Sequence, residues 1–304
     1  MIETPAPVST ELEHRAGYIA LVGRPNVGKS TLLNRLVGHK LSITSPRPQT
    51  TRHSIIGIVS QPDAQFAFVD TPGLQSRHAG RLNRALNRTV VDTLLRVDVV
   101  IFVVEALAFG PADAAVLKEL KDGPPVLLAV NKVDAVTDKN RLLPFIQDLS
   151  GRHAFAAIIP ISARTGRQVD ELLGAAKPYL PTSPALYDED EFTDRSERFL
   201  AAEMIREKLF RLLGEEIPYA AAVEVENFET AEGLRRIGAT ILVERPSQKA
   251  IVIGKGGEQL KAIATQARLD MERLFGGKVY LEIWVRVKRG WGEDPKMLQR
   301  LGYE

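Results

Sequence analysis

The chain has 304 residues, of which 44% are hydrophobic and 26% charged, with a formal net charge of +2. That is ordinary globular composition and enough chain for two domains. With no cysteine, disulfides, zinc–thiolate sites and iron–sulfur clusters are excluded; no apolar run reaches the roughly eighteen residues of a membrane span.

The first fifteen residues carry Glu3, Glu11 and Glu13 and no apolar segment, so a flexible leader is expected there and not a signal peptide. Tyr18–Val22 then reads as a short buried strand, "GRPNVGKST" (23–31) as a glycine-rich loop and Leu32–Leu36 as the start of a helix. Strand, loop and helix around G-x-x-x-x-G-K-[ST] make a phosphate cradle, with backbone N–H groups turned inward and a helix N-terminus behind them. Gly23, Asn26, Val27, Gly28, Lys29, Ser30 and Thr31 form this loop. Lys29 is expected at the β- and γ-phosphates and Ser30 on Mg²⁺. Chance alone would give the pattern in about one chain of this length in a hundred.

Further strands are expected at Ser54–Val59, Gln65–Val69, Val97–Val104, Val126–Val130 and Ala157–Ile161. Helices are expected at Arg81–Arg96, Ala112–Lys121, Lys139–Ser150 and Gln168–Tyr179. Near-continuous apolar strands alternating with helices predict a doubly wound, mostly parallel α/β sheet, the P-loop NTPase class, with its ligand loops at the strand carboxyl ends. Each such end carries chemistry. "DTPG" (70–73) offers Asp70 to hold Mg²⁺ through water and Gly73 to approach the γ-phosphate. "NKVD" (131–134) offers Asp134, whose two oxygens match the adjacent N1–H and N2–H₂ donors of guanine, a pair that adenine lacks. Asn131 would tie the loops together and Lys132 lie along the base. After the last strand, Ser162-Ala163 would bring the Ala163 N–H to guanine O6.

Between the cradle and DTPG, "SITSPRPQTTRHS" (42–54) reads as a switch loop in which Thr50 or Thr51 joins Mg²⁺ only when a γ-phosphate is present. Leu74 stands where many GTPases place a water-orienting glutamine. Asn26 is a candidate to help seat a potassium ion beside the phosphates, supplying positive charge there.

"PTSPALYDEDEF" (181–192) reads as a linker. Beyond it come an expected helix at Arg195–Leu213, strands at Ala220–Phe228, Gly238–Glu244 and Ala250–Ile253, a helix at Glu258–Phe275 and a strand at Val279–Val287. This is an α+β domain. Gly254-Lys255-Gly256-Gly257 is a G-x-x-G turn between Ile253 and a helix carrying Lys261, the device by which KH domains clamp single-stranded RNA. Residues 190–232 hold 12 acidic and 5 basic side chains, while 245–289 hold 10 basic and 4 acidic, which places an electropositive face late in the chain. Trp291 could stack a base or cap the domain's core, and core packing is the expectation.

"GRPNVGKSTLLNRL", "ITSPRPQTTRH", "DTPGL", "VNKVD", "ISARTG", "TDRSERFLAAEMIREKL", "VIGKGG" and "KRGWGEDPKMLQRLGY" together resemble the Era family over about residues 16 to 304. The resemblance implies a GTPase domain (16–180), a linker (181–193) and a type II KH domain with a C-terminal tail (194–304). It implies GTP hydrolysis with Mg²⁺, binding of the 3′ end of 16S rRNA, and a role in 30S subunit assembly in the bacterial cytoplasm, with peripheral association at the inner face of the membrane. The family shares a hydrophobic residue at the position of Leu74. A monomer is the default expectation. The alternatives are a related GTPase of tRNA modification or large-subunit assembly, against which the single nucleotide signature and the G-x-x-G turn argue, and an RNA chaperone holding GTP as a structural ligand.

Overall fold

The computed structural model describes residues 13–45, 52–70, 93–94, 96–121, 123–214 and 216–302. The expected roles of Thr50, Thr51, Gly73 and Leu74 lie outside these residues, as do most of the leader and of the helix expected at 81–96.

The first sheet contains β1 (Arg15–Val22), β2 (Ile55–Gln61), β3 (Ala64–Asp70), β4 (Val99–Glu105), β5 (Val126–Asn131) and β6 (Ala157–Pro160). Their order is β2-β3-β1-β4-β5-β6, parallel except for β2, which pairs antiparallel with β3. Strand order reverses at β1, so the crevice beyond its carboxyl end is the natural ligand site of such a sheet. Helices cover both faces: α1 (Lys29–Val37) and α4 (Val169–Ala176) on one, α2 (Pro111–Glu119) and α3 (Leu142–Ser150) on the other. Ile19, Leu21, Phe66, Phe68 and Ile101 point to the first face and Ala20, Val22, Phe102 and Leu128 to the second, all buried. Burial on both sides is why these strands read as continuous apolar runs.

The second unit comprises α5 (Glu197–Leu212), β7 (Ala221–Ala231), β8 (Leu234–Val243), α6 (Pro246–Ile253), α7 (Glu258–Phe275), β9 (Lys278–Val287) and α8 (Pro295–Arg300). β7 and β8 are antiparallel, while β8 and β9 are parallel and joined by the α6–turn–α7 crossover. Ala201, Ile205, Ile241, Val252, Ile263 and Met271 form the core between sheet and helices. Trp291 is only 2% exposed and donates its indole N–H to Ala220 O at 3.0 Å.

One expectation is corrected. Ala250–Ile253 is not a strand but the last turn of α6. A four-residue apolar run does not distinguish strand from buried helix. The deciding signals sit upstream: Pro246 at the first helical position, and Gln248 accepting from the Glu244 and Arg245 N–H groups at 2.9 Å.

The segment at 181–193 is fastened along the first sheet. Pro181 O accepts from Ala16 N–H, Gln65 binds the Leu186 and Tyr187 backbone, and Phe192 O accepts from Ile58 N–H at 3.0 Å. It delivers α5 against the other side of the nucleotide-loop region. Leu41, Ile55 and Leu200 form a small apolar cluster across that junction.

Candidate nucleotide site and RNA-binding turn

The loop after β1 turns on residues in the left-handed region. Gly28 has φ +104°, and a Cβ there would lie 2.3 Å from Asn131 Nδ2. Glycine is required both by conformation and by the close approach of Asn131. Asn131, at the end of β5, donates to Val27 O at 2.8 Å and accepts from Ala163 N–H at 2.9 Å. One buried amide thus joins the loops after β1, β5 and β6. The Ala163 N–H, expected at guanine O6, is engaged by Asn131 here.

Lys29 is buried and donates to the carbonyls of Gly23 (2.9 Å) and Arg24 (3.1 Å). Burial pulls its ammonium down to about 8, only partly opposed by Asp70. A cation removed from water in the first turn of α1 is matched by polyphosphate. The Ser30 hydroxyl donates to Asp70 Oδ2 at 2.9 Å, so α1 and β3 bring a hydroxyl and a carboxylate side by side. Such hard oxygen donors fit Mg²⁺. Ser42 Oγ donates to the same Asp70 oxygen at 2.7 Å. Ser42 was not singled out from sequence, because a serine in a polar loop carries no local signal of burial. Asn26 has φ +66° and lies exposed at the loop tip.

Lys132 adopts φ +66° and its ammonium is 3.0 Å from Glu105, which also pairs with Arg24 at 3.0 Å. Arg24 in turn pairs with Asp113 at 3.1 Å. These ions brace the NKVD loop against the phosphate loop. Asp134 accepts from Ser162 Oγ at 2.6 Å and from Arg164, and these contacts hold its carboxyl below the ordinary range. Lys29, Ser30, Asp70, Asn131, Lys132, Asp134, Ser162 and Ala163 therefore converge on the crevice at β1.

In the second unit, Gly254 ends α6, Gly256 has φ +60°, and Gly257, at φ +83°, caps α7. Nothing lies within 4 Å of a Cβ built at Gly256 or Gly257. The turn presents open, side-chain-free backbone beside exposed Lys255 and Lys261. Ile253 packs from below onto the core.

Residues 18–132 match the family model described as 50S ribosome-binding GTPase, and residues 216–292 match the KH domain model. The GTPase Era of Nitrosomonas eutropha is 55% identical over 96% of this chain and 98% of its own length. The chain belongs to the GTPase Era family. The GTPase Era of Chromobacterium violaceum is 52% identical over 97% of this chain and all of its own. The crystal structure of an Aquifex aeolicus Era variant bound to GDP and AlF₄⁻ is 37% identical, with a TM-score of 0.90, covering 95% of this chain and 99% of that one. Era in complex with MgGDPNP and nucleotides 1506–1542 of 16S ribosomal RNA shares 37% identity and a TM-score of 0.91 over the same proportions. As a member of this family the chain is a GTPase that binds GTP and GDP, with a KH domain on the same polypeptide.

Proposed function

We propose that this Era-family GTPase binds the 3′ end of 16S rRNA through its KH domain, as a switch set by bound nucleotide, and assists assembly of the 30S subunit. One observation carries the reading: the Era structure holding both MgGDPNP and 16S nucleotides matches this chain across both folded units. Residues 16–180 then form the nucleotide domain, 181–193 the connector and 194–304 the RNA-binding domain.

In this reading Asp134 accepts from guanine N1–H and N2–H₂, while Lys29 and the amides around Gly28 neutralise the β- and γ-phosphates. Charge develops on the phosphoryl oxygens as water attacks in line, and Lys29 stabilises it. Ser30 and Asp70, with Thr50 or Thr51 from the switch loop, are the residues to hold Mg²⁺, which when bound neutralises phosphate charge. Gly73 supplies an N–H toward the γ-phosphate. In the same reading Asn26 helps seat potassium beside the phosphates; equal turnover in potassium and sodium at matched ionic strength would remove that role. No helix among the described residues is long and apolar enough to cross a membrane. We place the protein in the cytoplasm as a monomer, with any membrane contact peripheral.

The test is RNA binding by the full chain with Gly256→Asp. A carboxylate in the open turn repels the phosphates that the glycines admit. Affinity for the 16S 3′ end should fall at least tenfold while GTP affinity is unchanged. Undiminished RNA binding by this variant would overturn the assignment of the clamp.

A further inference from the structure

The carboxylate of Asp134 is already engaged by side chains of its own domain. Arg164 donates to Asp134 Oδ2 through both Nε (3.0 Å) and Nη2 (2.6 Å), while Ser162 Oγ donates to Oδ1 at 2.6 Å. A carboxylate oxygen has two lone-pair positions. Oδ2 is therefore saturated by one guanidinium, whereas Oδ1 keeps a position open. Guanine recognition needs an acceptor on each oxygen. A guanidinium edge presents adjacent, coplanar N–H donors, as the N1–H/N2–H₂ edge of guanine does.

We propose that Arg164 is a built-in competitor for guanine: it fills the acceptor of Asp134 and must leave when the base enters. The inference rests on the reading of Asp134 as the guanine contact. The Arg164 side chain is 77% exposed and free to swing. Its backbone is not: Arg35 of α1 donates to Ala163 O at 3.2 Å and to Arg164 O, and Ser162 N–H bonds Arg167 O at 3.0 Å. The exchange is thus one of side chains on a fixed loop. A competitor of this kind lowers the fraction of protein ready to bind, so it weakens apparent affinity mainly by slowing association. An exposed arginine–carboxylate pair of ordinary strength corresponds to an effect of about two- to fivefold.

The experiment compares association and dissociation of fluorescent GDP for the full chain and for Arg164→Ala, with Asp134→Asn as a reference. Arg164→Ala should associate two- to fivefold faster, dissociate at an unchanged rate, and differ less from the parent at high salt. Slower association, or faster dissociation, would mean that Arg164 holds the base and does not compete with it, and the proposal fails. Asp134→Asn should lose GDP and gain xanthosine diphosphate, whose C2 carbonyl accepts from an amide. If Asp134→Asn binds GDP as before, the base-reading role itself fails. If it switches base while Arg164→Ala binds no faster, only the competitor fails.

Discussion

Lys29 carries the sharpest expectation at the level of single residues. Burial pulls its ammonium down to about 8, and phosphates bound beside it must raise it. The protonated form is the one that binds. Affinity for GDP should be flat below pH 8 and fall as pH rises beyond it, by up to about tenfold per unit until the bound-state value is passed. Calorimetry at pH 8.5 in buffers of different ionisation enthalpy should register proton uptake on binding. No uptake would mean that Lys29 is already fully charged. The residues of this site were legible because their chemistry is local: glycines that must turn, a lysine, a serine and carboxylates at strand ends. Ser42 and Arg164 were not legible. Each acts through a carboxylate far away in sequence, Asp70 and Asp134, and only folding brings the pairs together. The arginine directly after Ser162-Ala163 was a visible signal; its partner was not.

Among the elements, α5 is the least expected. Glu203, Arg206, Glu207 and Lys208 are all buried on it, which amphipathic periodicity does not foretell. They are buried because the helix is sandwiched between its own core and the nucleotide domain. Glu207 and Asp270 pair with Lys40 at 2.5 and 2.6 Å, and Glu203 and Arg206 pair with each other at 2.7 Å. Removing one partner of such a pair strands a buried charge. His53 lies at this junction, edge-on to Phe199 and beside Gly302 O. Burial lowers it to about 4, with Glu203 opposing and Arg206 and Arg52 adding to the effect. A histidine lowered on folding binds fewer protons in the native state than in the unfolded chain. Stability is therefore complete above about pH 6.5 and declines as pH falls toward 4. His53→Phe should flatten that part of the pH–stability profile measured by denaturant unfolding; an unchanged slope would assign it to other groups. The strand-to-helix correction at 250–253 belongs to this scale too. A short apolar run specifies burial, and only Pro246 and Gln248 specify helix.

At the scale of the whole molecule, the two domains meet at Thr44 and Arg52, the residues flanking the loop expected to act as a switch. Thr44, just before the segment 46–51, accepts from Arg211 at its carbonyl (3.1 Å) and its hydroxyl (2.8 Å). Arg52, just after it, donates to the backbone carbonyls of Pro218, Tyr219 and Ala221 at 2.8–3.1 Å and is only 5% exposed. The KH domain therefore holds both flanks of the loop expected to respond to the γ-phosphate. The sequence showed two domains and a linker; it did not show this clamp, whose partners are some 170 residues apart. A displacement of Thr44 or Arg52 would load α5 and the segment leading into β7, the elements that hold them. Linkage makes the coupling reciprocal: RNA that prefers one nucleotide state must tighten that nucleotide by the same factor.

The measurement that tests this account most directly is the affinity of the full chain for a single-stranded fragment of the 16S 3′ end, first with a non-hydrolysable GTP analogue bound and then with GDP, at one salt concentration. A switch set by bound nucleotide gives a preference of about tenfold or more for one state, about 1.4 kcal/mol of coupling, with the same factor returned in nucleotide affinity when RNA is present. Tight but equal RNA affinities in both states would contradict it, and would leave a GTPase and an RNA clamp that share a chain without forming a switch.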